Sequence, residues 1–192
     1  MSGIVSARSQ SDQASGVDAR TLYQRILGAD FERLPASLRE LHARSGVRRY
    51  AGEAEASRGA GRLSRLCGRI AGLPPAHAGA IEVEIDADRH GETWIRRFGH
   101  GAMRSRLRER DGLIHERLGP MAFSFALEIV DDGVVWRLRS VRALAVRLPL
   151  GWFDGMRAHE FEHDGRYGFD VRAALPGIGL LVHYRGWLAL GD

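Results

Sequence analysis

From Ile81 to Trp187 the chain is a succession of short segments in which apolar and polar residues alternate, each segment closed by a turn dipeptide. Successive side chains on a strand point to opposite faces, so a period of two marks half-buried strands. Ile81, Val83 and Ile85 alternate with Glu82, Glu84 and Asp86, and a turn at Asp88–Gly91 leads into Glu92–Phe98. Met103–Arg110 and Leu113–Leu118 flank Asp111-Gly112, a two-residue hairpin signal because both positions tolerate positive φ. Met121, Phe123, Phe125, Leu127 and Ile129 form one apolar face before Asp131-Asp132-Gly133 turns into Val134, Trp136 and Leu138. Arg157–His163 turns at Asp164-Gly165 into Tyr167, Phe169, Val171 and Ala173, and Pro176-Gly177 leads into Ile178–Leu188.

With a strand-compatible stretch at Val47–Ala56, this makes about ten strands at the spacing of antiparallel barrels and sandwiches. Sequential hairpins favour a meander, and a sheet this long tends to curl. The expected fold is α+β but mostly β: an antiparallel meander of about ten strands curved into a barrel or strongly bent sheet, with two or three N-terminal helices packed on it. Asp18 is a plausible N-cap for a first helix carrying Leu22, Ile26 and Leu27, with Gly28 as its stop. Pro35 opens a second short helix through Leu38, Leu41 and His42, with Phe31 and Leu34 anchoring the link. Leu63, Leu66, Cys67 and Ile70 form the apolar stripe of a third helix, expected to pack on the sheet with Cys67 as a small buried hydrophobe and Arg62, Arg65 and Arg69 solvated. Residues 1–18 read as a polar, flexible tail, and residues 19–190 as one domain.

The net charge is +4, and all 28 basic residues are arginine. The 24 carboxylates are interspersed among them, which argues against a nucleic-acid footprint. One cysteine excludes an intramolecular disulfide. There is no apolar run of membrane-spanning length and no apolar core of a secretory signal at the start, so a cytoplasmic, soluble protein is expected.

His159-Glu160-Phe161-Glu162-His163 matches the zinc-protease spelling H-E-x-x-H, which requires a helix to bring both imidazoles to one metal. On a strand the two histidines share a face about 13 Å apart. Glu160 then points to the opposite side. The Asp164-Gly165 turn and the alternation after it place the motif on a hairpin arm, so no metal and no metalloprotease chemistry are expected. Glu116, between Ile114 and Leu118, lies on an apolar face and must be paired, protonated or functional there; Arg96 is a candidate partner.

Gly91–Phe98, then Glu116–Pro120 with Phe123 and Phe125, then Phe169-Asp170-Val171 with Tyr184–Leu188, resemble the bacterial family of domain of unknown function 4166, as does the opening from Leu22-Tyr23 to Leu34-Pro35. The similarity runs from residue 20 to nearly the end. The resemblance implies a domain that occurs alone or beside a dehydrogenase-like nucleotide-binding domain, here as a possible separate partner, and it carries no activity with it.

Three functional readings follow. The leading one is a noncatalytic binding module for an apolar or amphipathic small molecule in the barrel, lined by Trp94, Arg96, Phe98, Glu116, Phe123, Phe125, Tyr184, Arg185 and Trp187, with Arg96 or Arg185 orienting a carboxylate or phosphate. No catalytic residue and no cofactor are assigned in that reading. The second is an enzyme pairing Glu116 with His115 or His183. The third is a protein or membrane-surface interaction module using Leu148–Phe153, against the expectation that Trp152 is buried in a crossover. Ligand identity and oligomeric state stay open.

Overall fold

The computed structural model describes residues 20–191, so Asp18 and the segment 1–18 lie outside the described residues. Eleven strands are present: β1 (Gly46–Arg58), β2 (His77–Asp88), β3 (Gly91–Phe98), β4 (Gly101–Arg110), β5 (Leu113–Leu118), β6 (Met121–Val130), β7 (Gly133–Ala143), β8 (Val146–Leu148), β9 (Arg157–His163), β10 (Arg166–Leu175) and β11 (Gly179–Ala189). All the recorded pairings are antiparallel, and they run in chain order from β1 through β7 to β9, β10, β11 and back to β1. Pairing of β6 with β7 closes the ring, and β8 hangs from β7 as an extra strand. The expected meander is therefore a closed ten-stranded barrel. Asp111 and Gly112, and Asp164 and Gly165, all adopt positive φ, as tight hairpin tips require.

The wall is uneven at one seam. β7 pairs with β9 only through Gly133–Val135, opposite Phe161–His159. Beyond Val135 the two strands part, and β8 and a 3-10 turn at Leu150–Phe153 occupy that side, the turn touching both β7 and β10.

Antiparallel order puts the starts of odd-numbered β1, β3 and β5 at one end with the finishes of β2, β4 and β6. That end is closed by α1 (Leu22–Leu27), a 3-10 turn at Gly28–Arg33 and α2 (Ala36–His42), which contact β4, β9 and β10. Thr21 is the N-cap of α1, its amide donating to Gln24 Oε1 at 3.0 Å, and Gly28 ends the helix at φ 55°. Phe31, Leu34, Leu38 and Leu41 are buried. The Ser37 amide donates to Glu162 Oε2 at 2.7 Å, fixing the start of α2 to β9.

At the opposite end α3 (Arg62–Ile70) lies against β11, but turned over relative to expectation. Its buried residues are Ser64 and Gly68, while Leu63, Leu66 and Ile70 are exposed and Cys67 is half-buried. The reason is close approach: Ser64 Oγ donates to the Leu180 carbonyl, and a Cβ on Gly68 would sit 1.7 Å from an Arg58 guanidinium nitrogen. Only small residues fit that face, so the apolar stripe is left outward. Trp152 corrects a second expectation, being 53 % exposed, while its neighbour Phe153 is buried. No described helix is long and apolar enough to cross a membrane.

Candidate functional site: a two-chamber barrel interior

Alternation along each strand decides which side chains enter the barrel. Val83 from β2, Trp94 and Arg96 from β3, Glu116 from β5, Phe125 from β6, Trp136 from β7, Glu160 from β9, Tyr167 and Phe169 from β10, and Tyr184 and Leu188 from β11 surround a small inner cavity of about 60 Å³. A second cavity of about 270 Å³ opens toward the α3 end and is almost wholly apolar, lined by residues including Met103, Leu118, Met121, Phe123, Leu148, Phe153, Ala173, Leu175 and Val182. Both cavities are lined by Glu116, Met156, Val171 and Tyr184, so they meet at one ring of side chains.

The polar groups are concentrated in the inner chamber. Arg96 lies over the Trp94 ring at 4.6 Å, and its Nη1 donates to Ser105 Oγ at 3.1 Å. Glu116 accepts from the Ser105 hydroxyl; burial raises its pKa from the ordinary carboxylate value, and Arg96 and Ser105 pull it partly back. Tyr184, buried beside Arg96 and Glu116, has its phenol pushed up to about 12, chiefly by burial. The Trp136 indole N–H has no hydrogen-bond partner among the described residues.

The floor is a buried cluster around Glu160. Tyr23 Oη donates to both carboxylate oxygens at 3.0 and 3.1 Å, and His42 Nε2 stands 2.9 Å from Oε2, where a ring N–H donates. Tyr167 supplies a further hydrogen bond, so the buried carboxylate meets three donors. Burial raises the phenols of Tyr23 and Tyr167 well above their ordinary values, and the neighbouring Glu160 charge adds to this. The His42 ring stacks on Tyr23 with centroids 3.4 Å apart. Beside them Glu92 is buried and accepts from the Trp94 indole at 2.7 Å, with its pKa raised by burial.

Of the nine side chains singled out from sequence, Trp94, Arg96, Glu116, Phe125 and Tyr184 line the inner chamber, and Phe123 lines the outer one with Glu116 and Tyr184. Phe98 is buried against His77 and Tyr184 without facing either cavity. Arg185 and Trp187 lie on the outer face: Arg185 pairs with Glu55 at 3.1 Å, and Trp187 lies under the Arg166 guanidinium at 4.5 Å. Period two on β11 separates them from Tyr184 and Leu188. The pairing of Glu116 with His115 or His183 does not form. Those histidines face outward, His115 Nδ1 toward Ser124 at 3.1 Å and His183 Nε2 toward Asp170 at 3.0 Å.

The zinc-like spelling lies on β9 as a strand. His159 sits 3.3 Å from Asp132, and His163 is exposed beside Asp164. Among the described residues no three His, Cys, Asp or Glu side chains are grouped to hold a metal. Glu160, on the face of β9 opposite the two histidines as the strand period predicts, is the buried centre of the floor. Tyr23 and His42 were missed because they reach it from helices more than a hundred residues away; their only local signal is a polar tip on the apolar face of a short helix.

Residues 34–188 match the family described as Domain of unknown function (DUF4166), and the chain belongs to that family. No curated protein matches the chain significantly.

Proposed function

We propose that the barrel is a noncatalytic binding module for a small amphipathic molecule, with the apolar part in the outer chamber and an anionic head at Arg96. The observation that carries this reading is the junction of an apolar chamber with a polar one at Glu116, Met156, Val171 and Tyr184. Together the chambers reach the lower end of the roughly 300–1,000 Å³ typical of small-molecule sites. The outer chamber suits a short hydrocarbon or ring system. The inner one, at about 60 Å³, has room for a compact head and little more.

Arg96 is the group suited to that head. Its stacking on Trp94 and its bond to Ser105 hold the guanidinium in place, and a planar guanidinium recognises carboxylate or phosphate through paired N–H donors. Glu116, shifted toward its neutral form by burial, would compete less for Arg96 once an anion arrives. The Glu160 cluster acts as a floor, since its donors are already committed to the Glu160 carboxylate.

Native mass spectrometry of the intact protein isolated from its own host tests the reading. A copurifying small molecule released on denaturation, and absent from an Arg96→Met variant, supports it. An unliganded mass, together with no thermal stabilisation by any anionic amphiphile, opposes it.

A further inference from the structure

We infer that the open end of the barrel docks on the surface of an anionic lipid bilayer, with the apolar side chains around the mouth entering the headgroup boundary. This inference concerns the outside of the barrel and does not require the interior to hold a ligand.

Among the described residues, the exposed large apolar side chains other than Val47 gather at one end of the barrel. Leu63, Leu66 and Ile70 project from α3, Leu144 and Val146 from the β7–β8 hairpin, and Trp152 from the neighbouring turn. All three elements stand at the end where β4, β6 and β11 begin, and Ile70, Leu148 and Trp152 share the wall of the outer chamber. A clustered apolar surface of this kind marks an interaction site, whereas single exposed apolar residues do not.

Backbone geometry supports selection for these side chains. The hairpin tip joining β7 to β8 has Leu144 and Ala145, both at positive φ, 48° and 71°. Two-residue tips usually place Asn or Gly there, and a left-handed leucine costs on the order of 1 kcal/mol. Leu144 is nevertheless 80 % exposed and fills no core position. Turn formation does not explain it.

Charge names the partner. The chain carries no carboxylate from Gly59 to Ile81 or from Gly133 to Phe153, and these stretches supply α3, the β7–β8 hairpin and the Leu150–Phe153 turn of the mouth. Arg62, Arg65 and Arg69 on α3, with Arg142 and Arg147 on the hairpin, are exposed among the apolar residues. Several arginines on the outer wall away from the mouth pair with carboxylates, as Arg49 with Glu84 and Arg185 with Glu55. A collar of arginines around exposed Leu and Trp, with Asp154 at the end of the Trp152 turn as its flanking carboxylate, complements anionic headgroups over an acyl layer, the arrangement of interfacial lipid binders.

The test is flotation of the full chain with vesicles of phosphatidylcholine alone or mixed with phosphatidylglycerol. The wild-type protein is expected to float with the mixed vesicles, to float poorly with phosphatidylcholine alone, and to be released by salt. Leu66→Glu and Arg65→Glu are each expected to weaken binding about fivefold or more. Val47→Glu, at an equally exposed apolar residue of the closed end, is expected to leave it unchanged. Because the altered side chains point into solvent, thermal unfolding of these variants should match wild type. Failure of wild type to float with the mixed vesicles overturns the inference, as does equal loss in Val47→Glu. It is also overturned if Leu66→Glu instead abolishes a lipid-free, concentration-dependent dimer seen by sedimentation, which would assign the rim to a second copy of this chain.

Discussion

The Tyr23 hydroxyl lies 3.0 Å from a carboxylate oxygen of Glu160, joining the first helix to the ninth strand across 137 residues. Both side chains are buried, and the same carboxylate receives His42 at 2.9 Å. This one contact set does two things. It fastens the helical cap onto the closed end of the barrel, and it keeps a buried carboxylate supplied with donors where an unpaired one would be costly.

Tyr23→Phe removes one donor while preserving ring stacking on His42. It should lower stability by about 1–3 kcal/mol in a denaturant titration, the cost of leaving a buried polar group short of a partner. Glu160→Gln should destabilise by a similar amount. The two losses should be less than additive by about 1 kcal/mol, because each removes the same contact. Strict additivity would show that the contact contributes nothing of its own.

Glu92 gives a pH signature. Burial raises its folded-state pKa above the ordinary 4.5, so between those two values the folded state holds a proton that the unfolded state has released. Its contribution to stability is therefore full below about pH 4.5 and declines as pH rises toward the folded value, by about 1.4 kcal/mol for each unit separating the two. Glu92→Gln retains an acceptor for the Trp94 indole and cannot ionise. Its stability relative to wild type should rise across that window and then level off, as read from denaturant midpoints at stepped pH.

Glu116 should impose the same direction on ligand binding. An anionic head at Arg96 favours neutral Glu116, whose pKa is already raised by burial, so wild-type affinity should fall as pH rises through that raised value. Glu116→Gln should bind an anionic amphiphile about tenfold more tightly at alkaline pH and lose most of the dependence. Calorimetry at stepped pH measures both.

Arg96 and Arg185 provide an internal comparison, since one faces the chamber and the other pairs with Glu55 outside. Arg96→Met should weaken binding of an anionic amphiphile about tenfold or more, as expected for a lost charge-assisted hydrogen bond. Arg185→Met should leave it unchanged. Equal losses would place the head group outside the barrel.

The contrast between those arginines also shows what the chain makes legible. Hairpins are written locally: Asp111-Gly112 and Asp164-Gly165 set tight turns, and the alternation of Ile81, Val83 and Ile85 sets an inner face, so strand number and order follow from neighbours in sequence. The same period of two separates Tyr184 from Arg185 and sends Trp187 outward, and grouping the three by proximity conceals it. β9 inverts the usual code, because it turns Glu160 inward and Phe161 outward, so polarity alone assigns its faces wrongly. The partners that make an inward glutamate tolerable, Tyr23 and His42, come from distant helices and leave no mark on the strand. α3 is misread for a related reason. Its helical period is plain, but which face packs is decided by the clearance at Ser64 and Gly68 against β11 and Arg58, a tertiary property.

The binding account is tested most directly by titrating the protein with an anionic, environment-sensitive amphiphile such as anilinonaphthalene sulfonate, in wild type and in Ala173→Trp. Ala173 lines the outer chamber and not the inner one that holds Arg96 and Glu160, so a tryptophan there would take up space in the roughly 270 Å³ of the outer chamber. Wild type should bind one molecule per chain with enhanced fluorescence, and Ala173→Trp, still folded by circular dichroism, should bind about tenfold more weakly or not at all. Equal binding by both, or none by wild type, would contradict a ligand inside the barrel.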